Sequence, residues 1–93
     1  MVLAITDSNE CNFGIKFEDE SKLELVKYVA QLGLYAWYQA AHEDKANPHF
    51  TEDEIDGFYW SGYAEPTSEL LDRYGIKHEI VDYDENSDEV FYC

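Results

Sequence analysis

Apolar residues recur every three or four positions from Ser21 to Asp44 (SKLELVKYVAQLGLYAWYQAAHED), and that spacing predicts one long amphipathic helix. Leu25, Val29, Leu32, Ala36 and Ala40 form its stripe, widened by Val26, Trp37 and Ala41. Tyr28, Tyr35 and Tyr38 fall at the margins, as boundary residues with rings inward and hydroxyls wet. Ser21 followed by Glu24 matches a capping box, and Glu18-Asp19-Glu20 brings negative charge to the helix start, where the macrodipole favours it. Gly33 inside the pattern signals a close crossing or a bend, because glycine disfavours a helix interior by about 1 kcal/mol relative to alanine. The Asn47-Pro48 pair stops the helix.

On either side the period changes. Residues 2 to 6, VLAIT, are an apolar β-rich run, and Phe13, Ile15 and Phe17 alternate with Gly14 and Lys16, so two strands are expected to pair as a hairpin across Asp7-Ser8-Asn9-Glu10. Thr51 with Glu54 is a second capping box. Its helix would carry Ile55, Phe58 and Tyr59 on one side, Glu52, Asp53 and Asp56 on the other, and end near Gly62. Pro66-Thr67-Ser68 opens a third helix with apolar Leu70, Leu71 and Tyr74, and Gly75 sits where a C-terminal glycine cap belongs. Period two returns at Ile76, His78 and Ile80; Asp84 to Asp88 reads as a polar turn, and Glu89-Val90-Phe91-Tyr92 as a last strand. Strands segregated from helices predict one α+β domain over residues 1 to 93. Its small antiparallel sheet, made of two terminal hairpins, is packed by one long helix and two short ones.

Composition sharpens this picture. A 45% hydrophobic and 16% aromatic chain of 93 residues carries enough apolar mass to fold around a single core. Its net charge is -15, from 21 acidic against 6 basic residues, far beyond the magnitude of roughly 2 to 8 usual for a small domain. Self-repulsion on that scale destabilises the compact state, which makes the acid a candidate for function. Imitation of a nucleic acid, docking on another basic partner and adaptation to high salt would each explain it; five lysines weaken the last. Direct contact with DNA or an anionic membrane is disfavoured because like charges would meet. No basic leader or long apolar span stands in the sequence, so a cytoplasmic location is expected, with Cys11 and Cys93 as free thiols and a bridge between them as the alternative.

Catalytic and metal-binding signatures are weak. The stretch Asp82 to Asp88 alternates acidic and amide side chains as the start of an EF-hand loop does, then departs from it with Ser87 at the sixth position and Cys93 at the twelfth. His42, His49 and His78 share no metal-ligand spacing, and His78, on the inward side of a strand, reads as a satisfied boundary histidine. No Ser-His-Asp set or phosphate loop stands out, so no enzyme, metal or cofactor is expected.

What remains is the acid itself, in clusters at Glu18 to Glu24, Glu43-Asp44, Glu52 to Asp56, Glu65 to Asp72 and Asp82 to Glu89. Duplex DNA carries one charge per roughly 1.7 Å of axis, and a rigid fold displaying carboxylates can occupy the groove that grips it. In size and acidity the chain resembles small inhibitors, encoded by phages and mobile elements, that block restriction enzymes or CRISPR effectors by imitating DNA. Residues 50 to 64, with Phe50, Gly57, Ser61 and Tyr63-Ala64, are also similar in order to a segment of the ArdA-type antirestriction proteins, which are acidic DNA mimics. The resemblance implies a basic, nucleic-acid-binding protein as partner. Expected contacts are Glu52, Asp53, Glu54 and Asp56; Glu18, Asp19, Glu20 and Glu24; and Asp82, Asp84, Glu85, Asp88 and Glu89. Tyr59, Trp60 and Tyr38 are the expected aromatic anchors. An acidic or antitoxin-like module for a basic partner without a nucleic-acid site is the alternative.

Overall fold

The computed structural model describes residues 1–8, 12–42, 44, 46–62 and 64–93. Strands β1 (Val2–Thr6) and β2 (Phe13–Phe17) are followed by a 3-10 turn (Glu20–Lys22) that runs into α1 (Leu23–Ala41). Then come α2 (Glu52–Ser61), α3 (Ala64–Arg73), β3 (His78–Val81) and β4 (Glu89–Tyr92). The expected α+β class is found: a four-stranded sheet packs one face against the helices, through Leu3, Ile5, Phe13, Ile15 and Phe17. Opposite them lie Val26, Val29, Ala30 and Leu34 of α1, Ile55 and Phe58 of α2, and Leu70 and Leu71 of α3.

The N-terminal hairpin forms as expected, β1 antiparallel to β2 with Leu3 opposite Ile15. The C-terminal hairpin does not. The sheet order is β3-β2-β1-β4, with β3 antiparallel to β2 on one edge and β4 parallel to β1 on the other, so the sheet is mixed. Residues 82–88, with Asp84 to Asp88 expected as a polar turn, instead span the width of the sheet. Helices occupy the inner face, so this strap crosses the outer one. There Val81, Gly14, Ala4 and Val90 form a single cross-strand row. A β-carbon on Gly14 would lie 2.8 Å from Val81 Cγ2 and 3.1 Å from the Asp82 carbonyl oxygen, and Ala4 is wholly buried on a face without helices. Small residues at both positions leave room for the strap. Alternation reports only which side a residue faces, and a strap and a hairpin turn share the same polar composition.

The long helix starts and stops inside its predicted limits. Asp19 provides the cap in place of Ser21: its carboxylate accepts from the Ser21 amide at 3.1 Å and the Ser21 hydroxyl at 2.5 Å. At the far end α1 closes at Ala41, short of Asp44, because buried Gln39 holds the following chain, donating to the Ala46 carbonyl at 2.5 Å and accepting from Asn47 Nδ2 at 2.7 Å. The second capping box is present in both halves, Thr51 N to Glu54 Oε1 at 3.0 Å and Glu54 N to Thr51 Oγ1 at 3.2 Å. Helix α3 begins at Ala64, two residues before the predicted Pro66, and ends with Gly75 N on the Asp72 carbonyl and Ile76 N on that of Leu71. Gly33 marks a close crossing: α3 approaches α1 so nearly at Thr67 that a β-carbon on Gly33 would stand 2.8 Å from the Thr67 Cα and N.

Candidate interaction surface

Helix α2 divides cleanly into two sides. Ile55 and Phe58 are buried, with Phe58 edge-on to Phe50 at 4.8 Å, and Arg73 from α3 lies over the Phe50 ring at 4.8 Å. Arg73 also bonds Glu54 Oε2 at 2.9 Å and the His49 carbonyl. These contacts fix the helix against the body. Its outer side, at positions three and four apart, presents Glu52, Asp53, Asp56, Tyr59 and Trp60. Trp60 is 85% exposed and meets Tyr59 edge-on at 5.0 Å, so two large rings stand in solvent beside three carboxylates. Among the described residues no cation bridges Glu52 or Asp53.

Not every expected contact is available. Glu54 is held in the capping box and by Arg73; the Thr51 amide bond, and after it the Arg73 charge, keep its carboxyl below the usual value. Glu89 turns to the helix side of the sheet, where Lys27 donates to it at 2.7 Å. Tyr38 is half-buried with its hydroxyl donating to Asp7 at 3.2 Å, so it serves the fold and does not stand out as an anchor. Asp19 is engaged as a cap; the Ser21 hydroxyl bond, then the Ser21 amide, lowers its pKa.

The acidic clusters are thus unequal. Glu18, Asp19, Glu20 and Glu24 are exposed but share their end of the molecule with cations. Lys16 and Lys77 line one cleft with Glu18, Lys22 and Lys77 line another with Glu18 and Asp19, and Lys27 stands 3.5 Å from Glu24. Asp82, Asp84, Glu85 and Asp88 are exposed on the strap. Asp84 organises a turn there, accepting from Asn86 N at 2.8 Å, while Asp88 accepts from Val2 N at 2.8 Å. Glu43 and Tyr63, invoked from the sequence, lie outside the described residues, as does Cys11 of the thiol pair. The strap lies on the outer face of the sheet and α2 in the helical layer, so the sheet separates these two acidic groups.

One constellation escapes a linear reading. Ser68 Oγ lies 2.7 Å from His78 Nε2, and Asp72 Oδ1 stands 3.7 Å from His78 Nδ1. The order of a catalytic triad is there, but Nδ1 is nearer the Ile76 carbonyl, at 2.9 Å. Ser68 sits inside α3, where neighbouring amides are spent on the helix ladder and none can receive an oxyanion. The side chains fasten α3 to β3, which agrees with the expected satisfied histidine. Only the spacing of α3 against β3, a tertiary property, brings them together. Among the described residues no three His, Cys, Asp or Glu side chains gather as a metal site, and no helix is long and apolar enough to cross a membrane.

Comparison with family models, with curated proteins and with solved structures finds no match to this chain.

Proposed function

We propose that this protein binds the nucleic-acid-binding surface of a larger protein or complex, with its acidic faces standing in for nucleic acid. The observation that carries the reading is the outer side of α2, where Trp60 and Tyr59 stand exposed beside Glu52, Asp53 and Asp56. Buried interface centres favour Trp and Tyr, and carboxylates around them complement Lys and Arg rows that grip phosphate. The resemblance to phage-encoded inhibitors directs the choice of target toward host defence complexes, CRISPR effectors or restriction enzymes. In this reading the protein blocks by occupancy and performs no chemistry.

One observation favours the second reading, an acidic module for a basic partner that has no nucleic-acid site: the acid of α2 and that of the strap lie on opposite sides of the sheet and form no single row. Competition distinguishes the two. A basic nuclease complex bound to the immobilised chain at low salt is challenged with duplex DNA or guide RNA. Displacement, together with affinity that falls steeply as salt rises, supports mimicry. Binding that nucleic acid leaves untouched overturns it in favour of the second reading.

A further inference from the structure

We propose that the open edge of β4 is a strand-addition site for an extended basic segment of a partner protein, on a surface separate from α2. Among the described residues β4 is an edge strand of the sheet and pairs on one side, with β1. Cys93 N donates to the Thr6 carbonyl at 2.9 Å. Backbone direction alternates along a strand, so Glu89 and Phe91 also turn their amide and carbonyl groups to β1, and those of Val90 and Tyr92 point to the open edge. The side chains of Val90 and Tyr92 are 43% and 65% exposed. Edge strands are ordinarily guarded by lysine, proline, a bulge, an inward charge or their own shortness; β4 (EVFY) is short and opens on the inward Glu89, but Val90, Phe91 and Tyr92 carry no lysine, proline or charge.

The surroundings select the occupant. Lys27 holds Glu89 at 2.7 Å and Glu24 at 3.5 Å, which places the α1 flank carrying Glu24 beside the start of β4. Positions 28, 31 and 35 continue that flank, with Tyr28 and Tyr35 more than half exposed. Glu24, Asp88 and Glu89 therefore rim the edge, and among the described residues the cation paired there is Lys27, which Glu24 and Glu89 already share. A second copy of this chain, with net charge -15, would be repelled. A segment alternating basic with apolar residues fits: one row packs on Val90 and Tyr92, and the other sets Lys or Arg against Glu24 and the faces of Tyr28 and Tyr35.

The test uses the whole chain with a synthetic peptide alternating lysine and valine, and a twin N-methylated at every residue, so that neither of its edges can donate. Amide hydrogen exchange is followed residue by residue. The expected result is exchange at Val90 and Tyr92 slowed about tenfold or more by the first peptide and unaffected by the twin. No binding, binding without protection of those two amides, or equal binding by the methylated twin overturns the proposal. Val90→Pro, which removes one edge amide, should abolish the protection at Tyr92; because that variant can fail to fold, the methylated peptide remains the deciding arm. In Trp60→Ala the protection should persist, and its loss there would transfer the peptide to α2 and overturn the assignment to β4.

Discussion

Gly33 of α1 and Thr67 of α3 touch backbone to backbone, and a β-carbon on Gly33 would lie 2.8 Å from the Thr67 Cα and N. Helix propensity favours Gly33→Ala by about 1 kcal/mol, but the overpacking opposes it by about 1 to 3 kcal/mol and should prevail. Urea unfolding should show a net loss of stability. Trimming the partner, Thr67→Ala, should not restore it, since the clash includes main-chain atoms. Full rescue would mean that the helices cross elsewhere.

Thr51 and Glu54 start α2 through a reciprocal pair of bonds. Thr51→Ala should destabilise by about 1 kcal/mol, measured by thermal or denaturant unfolding. Glu54 has its pKa lowered, first by the Thr51 amide bond and then by Arg73. A carboxyl with a depressed folded pKa contributes stability above its unfolded value, and that contribution vanishes as pH falls through the folded one. The stability difference between the native chain and Glu54→Gln should accordingly be present at neutral pH and shrink below the ordinary value of 4.5. A difference that grows on acidification would contradict the assignment.

Net charge gives a third expectation. With 21 acidic against 6 basic residues, repulsion outweighs ion pairs such as, among the described residues, Lys27 with Glu24 and Glu89 and Arg73 with Glu54 and Glu69. Added sodium chloride screens both, and the repulsion is the larger sum. The midpoint of thermal unfolding should rise by several degrees, on the order of 1 kcal/mol, between low and moderate salt. A fall would show that the ion pairs dominate.

Trp60 contributes little to the fold because it is 85% exposed. Trp60→Ala should leave unfolding stability within about 0.5 kcal/mol of the native chain, yet weaken partner binding about tenfold or more if α2 is the contact surface. Calorimetry of binding, paired with unfolding curves, separates the two effects. Unaltered affinity would remove α2 from the interface.

Local chemistry was the legible part of the sequence. The Thr51 and Glu54 cap, the Gly75 ending of α3, the alternating Phe13, Ile15 and Phe17, and the close approach at Gly33 each depend on residues a few positions apart or on one side chain's size. The parallel pairing of β4 with β1 was not legible, because VLAIT can accept a strand on either side and the Asp84 to Asp88 segment suits a turn as well as a strap. In the candidate surface, Tyr59 stands exposed with Glu52, Asp53 and Asp56, whereas the helix pattern predicts it on the inner side with Ile55 and Phe58; one step past Phe58 turns its ring out of the core. Commitment of Glu54, Glu89 and Tyr38 to Arg73, Lys27 and Asp7 did not show, since each partner comes from a distant element.

The strap also sets a schedule for folding. Val2 and Asp88, 86 positions apart, are joined by a hydrogen bond, and the ladder beside them can form only when distant parts of the chain meet. Pairing over that distance slows a domain relative to helical proteins of its size, because loop closure precedes the contacts that reward it. Until β4 docks, β1 is itself a bare edge, apolar at Leu3, Ala4 and Ile5. The passage of residues 82–88 over Gly14 and Ala4 therefore governs how long the young chain stays open to mispairing.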